Sequence, residues 1–429
     1  MKHLYRLLCL FLVFSFVPVG AQVATVNFTA HEWGTFTSLV GSNGSTVDGM
    51  YHEDEPLPNF VHGFGELVSQ PIFQPDPQDP CRRRKIPCEF LERNSVTQKM
   101  ETPVIYFYSS EEVDVNVDVR FPGGAITETY PGPTFTMPSR ASEPVLAHGH
   151  TIFNVKVYPL GYTPRDAQIQ PVEPGNIYAH ARIVNSSLVR ANNEMEKFIF
   201  YRGAGNFQPE ITVTSKLGGL RVRPSNEVPN VPPMILLDVA ANGSVRAVDL
   251  IQFSGKRDTV VSPRFIETLR NHSLPLSDGI FDRKLAFDRI GEMLLQAGLT
   301  SSEAQAMIQT WEHGYLNVPG LRLLYILPSH EVERLLPLNI TPSPSELKRV
   351  FVGRLEVMLD LDEEALMYKV IAAGDLIDVV QLGRFAESLL RRTLDVYREH
   401  KDHTNTAPNP AVVDLFHRLI ERAKTYDRT

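Results

Sequence analysis

Cysteine is scarce in this chain. Three occur among 429 residues, and Cys9 falls within the apolar N-terminal run, which leaves Cys81 and Cys88. A disulfide-dense scaffold and a four-thiolate zinc centre are thereby excluded. Long apolar runs are also missing: beyond the N-terminus no segment offers about 18 consecutive apolar residues, so no transmembrane span is expected in the mature chain. Nor does one sign of charge dominate. Forty-two basic and 50 acidic residues give a formal net charge of -8, and the two signs are mixed along most of the chain. No field of that kind attracts a nucleic-acid backbone, and nucleic acid is excluded as a main partner. Familiar catalytic motifs are lacking too. There is no G-x-S-x-G elbow and no S-x-x-K with its companions, and the glycines of "FYRGAGNF" and "LGGL" do not open a helix as a phosphate-cradling loop does.

What is present begins with "MKHLYRLLCLFLVFSFVPVGAQ": a short basic start, an apolar run from Leu7 to Val17, and the small residues Gly20 and Ala21. These are the three parts of a secretory signal, with cleavage expected after Ala21, and they place the protein in the periplasm or outside the cell. In that oxidising setting Cys81 and Cys88 of "CRRRKIPC" are expected to form a disulfide. The basic residues between them read as a solvated loop, with an anionic-partner contact or a processing site as alternatives. Sequons of the N-x-S/T type stand at Asn27, Asn43, Asn185, Asn242, Asn271 and Asn339, and matter only where the source glycosylates exported proteins.

With 43% hydrophobic and 21% charged residues, the remainder is an ordinary globular chain. From 22 to 260 its apolar residues keep strand spacing. In "VDVNVDVRF" the valines alternate with polar residues, so that one face enters a core and the other meets water. "VIYFY" is continuously apolar and aromatic, suiting a strand covered on both faces, and "ANGS" marks a hairpin turn. "QPIFQPDPQDPCRRRKIPC" and "RPSNEVPNVPPM" lack backbone donors and read as surface loops. From 261 to 429 the period lengthens. Ser262 and Pro263 open a helix, Thr300 and Glu303 form a capping-box pattern, Gly298 stops the helix before it, and two strands, "LRLLYILP" and "KRVFVGRLEVML", precede closing helices. The predicted fold is α+β: an N-terminal antiparallel β-rich, sandwich-like domain, then a mainly helical domain with two strands.

Candidate chemistry is sparse. In "AHEWGTFTS" successive side chains of an extended strand alternate, so His31 and Glu32 should point apart and make a poor chelating pair; His31 reads first as a core or edge histidine. "HGH" is a better metal pattern, since His148 and His150 would share a strand face. Two imidazoles make half a site for a divalent cation, and His31, Glu32, His62, Glu101 and His180 are the candidates for a third ligand. The loop with His52, Glu53, Asp54, Glu55 and His62 is rich in oxygen donors but lacks the spacing of a calcium loop. Arg202, if buried, needs a carboxylate, with Glu101 or Glu32 as candidates. Glu32 and Glu101 are also the candidate catalytic bases.

Together, "HEWGTFTS", "METPVIYFY", "FPGGAITETYPGP", "EKFIFYRGAGNF", "LRLLYILP" and "VFVGRLEVM" resemble a family of secreted bacterial proteins without an assigned activity. The resemblance spans nearly the whole mature chain, and "TETYP" departs from a "TEWYP" form. It implies a bacterial source and export, and brings no mechanism. The function expected from the sequence is a secreted or periplasmic binding protein, with a cell-envelope or protein partner. The alternative is a metal-assisted extracellular hydrolase with His148 and His150 as ligands and Glu32 or Glu101 as base.

Overall fold

The alternating valines of "VDVNVDVRF" become the strand Val113–Phe121, with Val113, Val115, Val117 and Val119 buried. This is seen in the computed structural model, which describes residues 27–52, 57–63, 95–137, 148–173, 175–224, 232–250, 258–277 and 279–424. Residues 1–26, where the secretory signal is expected, the acidic trio Glu53, Asp54 and Glu55, and most of both Pro-rich loops lie outside the described residues. So do Cys81 and Cys88. The disulfide expected between them is corrected: none of the three cysteines comes near disulfide distance of another. A short sequence spacing does not by itself supply the Cβ separation and direction that a bridge demands.

Three sheets form the strand-rich part. The largest has ten strands, ordered Ile280–Asp282, Val245–Asp249, Met234–Val239, Gly320–Ile326, Glu346–Val357, Phe28–Val40, Gln98–Ser109, Ile199–Gly205, Gly124–Tyr130 and His62–Gly63. Every neighbouring pair is antiparallel except Phe28–Val40 with Glu346–Val357, which run parallel over twelve registered positions, Thr29 to Val40. Parallel strands are stable where both faces are covered, and Phe28–Val40 is buried along nearly its whole length. A strand-rich N-terminal region is thus followed by a more helical one, and the large sheet draws strands from both.

One face of this sheet carries Phe28, Phe36, Ile105, Phe107 and Phe351. It packs against Val115, Val117, Phe153 and Val155 of a second sheet, and Val213 and Val222 of a third. The other face carries Trp33, Val104, Tyr106 and Val352 and is covered by the helices Arg283–Ala297 and Ser301–Leu316 through Ile290, Leu294, Met307 and Trp311. "VIYFY" is therefore apolar throughout because its side chains feed two cores by turns. Burying each such Val, Leu or Phe contributes roughly 1.5–3 kcal/mol.

The helix signals act where the sequence places them. Ser262 accepts a hydrogen bond from Phe265 N–H, Gly298 ends its helix at φ 112, and Thr300 with Glu303 forms a complete capping box. The closing helices Asp360–Ala373, Ala386–His403 and Pro410–Lys424 share a separate core built on Met367, Val370, Leu390, Leu394, Phe416 and Leu419. Both strands of the parallel pair end at the same edge, and Asp360–Ala373 begins three residues past Val357. The helical cluster is consequently docked at the carboxyl end of the parallel pair.

Candidate functional site

Three neighbouring strand pairs lose register at one level of the large sheet. Phe28–Val40 and Gln98–Ser109 slip between Trp33 and Thr35, and Ile199–Gly205 slips against Gln98–Ser109 between Phe200 and Gly203. The same strand slips against Gly124–Tyr130 between Arg202 and Gly203. Thr102, opposite these shifts, has φ 45, a costly conformation for a β-branched residue. Gly34 sits in the gap: a Cβ there would lie 2.7 Å from the Phe351 ring and 3.1 Å from Pro103 Cα. Bulges re-aim side chains, and they cluster beside functional centres.

The side chains gathered around this level are charged and buried. Glu101 Oε2 accepts from Thr37 Oγ1 at 2.6 Å, and its Oε1 accepts from Arg384 Nη1 at 2.7 Å. Burial opposes ionisation of Glu101, but the positive charges of Arg384, Lys99 and Arg354 outweigh it, and the pKa falls to about 2. Further along, Glu356 Oε1 accepts from Arg354 Nε at 2.6 Å and lies 3.2 Å from Arg322 Nε. Arg322 reaches the carbonyls of Gly314 and Tyr315, each at 2.7 Å. Burial, together with the repulsion of Arg354 and Arg384 and against the pull of Glu356, lowers its pKa to about 10. Two fully buried guanidiniums thus share one carboxylate.

Arg354 is the least satisfied member. Its Nη1 and Nη2 are buried and have no hydrogen-bond partner among the described residues. Its guanidinium carbon lies 5.7 Å from the Phe385 ring centre and 6.0 Å from that of Tyr315. Phe385 in turn lines a cleft of about 320 Å³ together with Glu356, Arg384, Gly320 and Met358. Arg384 lies over the same Phe385 ring at 4.7 Å. The cleft wall holding both residues turns at Gly383, whose φ of 69 falls outside helical range. Chemically, the arrangement offers a small cleft lined by Arg270 and Arg384 as well as Glu356 and Asp362, with Phe385 linking its wall to the buried Arg354 head group.

The residues singled out in the sequence are distributed differently. His31 and Glu32 do point apart. His31 donates from Nδ1 to Glu303 Oε1 at 2.9 Å on the helix side, where Tyr108 and Thr300 hold the same carboxylate. Glu32 turns to the other core, accepting from Arg349 Nε at 2.5 Å and from Tyr201. Both are structural ties. Glu101 alone of the candidate bases enters the charged network.

His148 is exposed at φ 65, and His150 bonds Asp118 Oδ1 at 2.9 Å on the second sheet. His31 and His150 stand on opposite sides of the large sheet, so the structure does not bring the three histidines together. Among the described residues no group of three His, Cys, Asp or Glu side chains is placed to hold a metal ion. His62 bonds Glu194 at 2.7 Å, and His52 lies 3.2 Å from Glu387, which also takes Arg391 and Tyr51.

Sequence reasoning passed over Arg322, Arg354, Glu356 and Arg384. A signal was there: "LRLLYI" and "VFVGRLEV" are apolar strands interrupted by charges, and a charge inside a strand covered on both faces must find a buried partner. No family model, no curated protein and no solved structure matches the chain.

Proposed function

We propose that this is an exported bacterial binding protein whose cleft at the carboxyl end of the parallel strand pair receives a small ligand bearing a carboxylate or phosphate. The observation that carries the reading is the Arg354 head group: wholly buried, beside a second arginine that shares its carboxylate, and with two donor nitrogens unsatisfied among the described residues. A guanidinium kept out of water without full pairing costs several kcal/mol. An anion in the cleft offsets that cost. At about 6 Å and an effective dielectric near 20, one unit charge gains roughly 3 kcal/mol from Arg354. Arg384, on the cleft wall, adds a second positive charge there.

The test is ligand-dependent melting of the full mature chain with phosphate, acetate, citrate and succinate, each against sodium chloride at equal ionic strength. A saturable rise in Tm with at least one of these anions is expected. Arg384→Gln should weaken that binding by at least about tenfold, through the loss of a positive charge on the cleft wall. Arg354→Met should also weaken it while leaving the melting point of the unliganded protein level or higher, because an apolar side chain replaces a poorly paired buried charge. Equal melting in all salts would overturn the reading.

A further inference from the structure

A second constellation lies beside the cleft, with which it shares Arg270, at the tip of the hairpin formed by Met234–Val239 and Val245–Asp249. Ser244, in the turn, has its Oγ 2.6 Å from His272 Nδ1. His272, in the loop after the helix Pro263–Arg270, donates from Nε2 to Asp238 Oδ2 at 2.8 Å. Asp238 is buried on the strand and has Arg270 Nε 3.4 Å away. Hydroxyl, imidazole and carboxylate thus form one chain of hydrogen bonds, contributed by the hairpin and by the loop after the helix. The carboxylate fixes which ring nitrogen keeps its proton. With Nε2–H held by Asp238, Nδ1 presents its lone pair to the serine hydroxyl, which also has Asn242 Oδ1 as an acceptor at 2.8 Å; turning the hydroxyl hydrogen from Asn242 towards the imidazole sets the relation that activates a nucleophile.

The surroundings fit a reactive group better than a buried tie. Ser244 is half-buried, its turn neighbours Asn242 and Gly243 are exposed, and Leu274 and Leu276, just past His272, are 47% and 49% exposed. The Ser244 hydroxyl has Asn242 Oδ1 at 2.8 Å within its own turn, so the turn does not need the histidine to satisfy it. The turn's own N–H groups set a limit on the chemistry. Ser244 N–H is held by Asn242 Oδ1 and Gly243 N–H by Ala240 O, so neither stands ready to stabilise an oxyanion. Leaving groups that depart readily need least of that help.

We propose that Ser244, His272 and Asp238 form a nucleophilic relay that cleaves activated esters with an apolar acyl group, the acyl chain resting on Leu274 and Leu276. Ser244 Oγ attacks the ester carbon as its proton passes to His272 Nδ1. Collapse of the adduct breaks the bond to the leaving oxygen, which departs with the proton from Nδ1. A water molecule then gives a proton to Nδ1 and attacks the acyl-serine, releasing the carboxylic acid and restoring the hydroxyl. Asp238 positions the ring and stabilises its protonated form throughout.

The experiment treats the full mature chain with a fluorophosphonate reporter and with p-nitrophenyl butyrate, and maps the label by peptide mass. Wild type should carry the label on Ser244, and Ser244→Ala should lose it at an unchanged melting temperature. Asp238→Asn, which upsets the tautomer, should slow labelling and ester turnover at least tenfold. Because Asp238 is buried, Ser244→Cys gives an independent reading: its thiol should alkylate with iodoacetamide faster than the same thiol in a His272→Gln background. A wild-type chain unlabelled at Ser244, or a Ser244→Cys thiol indifferent to His272, would overturn the proposal.

Discussion

Glu101 and Glu331 illustrate opposite fates of a buried carboxyl. Cations hold Glu101 ionised, with a pKa near 2. Its folded value lies below the unfolded one, so it stabilises the fold above about pH 4.5, and that contribution disappears as pH falls through about 2. Removing it leaves Arg384 buried without this carboxylate. Glu101→Ala should destabilise the protein by about 3–5 kcal/mol in urea unfolding at pH 7. Glu331, in the short helix Ser329–Leu335, is pushed up to about 7 by burial and the nearby charge of Glu210, against the opposing effects of the Glu210 N–H, Arg334 and His330. Here the folded value is the higher one. Stability from this group is complete below about pH 4.5 and is lost as pH rises through about 7, an effect of roughly 3 kcal/mol. Glu331→Gln should accordingly melt above wild type at pH 8 and level with it at pH 4.5. An unchanged difference across that range would show that Glu331 titrates normally.

Single elements were legible where their signals are local. The two-residue period of Val113–Phe121, the stop at Gly298 and the box of Thr300 with Glu303 each lie within a few residues of sequence. The capping box has a further role, since Glu303 also receives His31 and Tyr108. Thr300→Ala should therefore exceed the usual loss of about 1 kcal/mol for an N-cap, because it loosens a carboxylate that ties helix to sheet; denaturant unfolding measures the difference. Bulges are another matter. Nothing local announces the shifts at Gly34, Thr102 and Arg202, because a bulge is a relation between strands. Gly34→Ala should cost about 1–3 kcal/mol through the Phe351 clash. The charged network was hidden for the same reason, as Glu101 and Arg384 meet across 283 residues.

At the scale of the molecule, the closing helices are tied to the sheet by buried ions. Arg392 pairs with Glu363 at 2.8 Å, and Glu363 also accepts from Ser42 N–H at 2.7 Å, just past the end of the central strand. Glu363→Ala should therefore lower hydrogen-exchange protection across 360–424 before it affects Phe28–Val40; simultaneous loss in both would mean that the helical cluster does not open by itself.

The parallel pair has a consequence for biogenesis. Phe28–Val40 is made well before one of its two flanking strands, Glu346–Val357, which follows over three hundred residues later. Until then a long, apolar strand presents a bare edge, a ready template for pairing with another chain. Polypeptides cut short before residue 346 should accumulate as aggregates, whatever their N-terminal sequence could otherwise assemble.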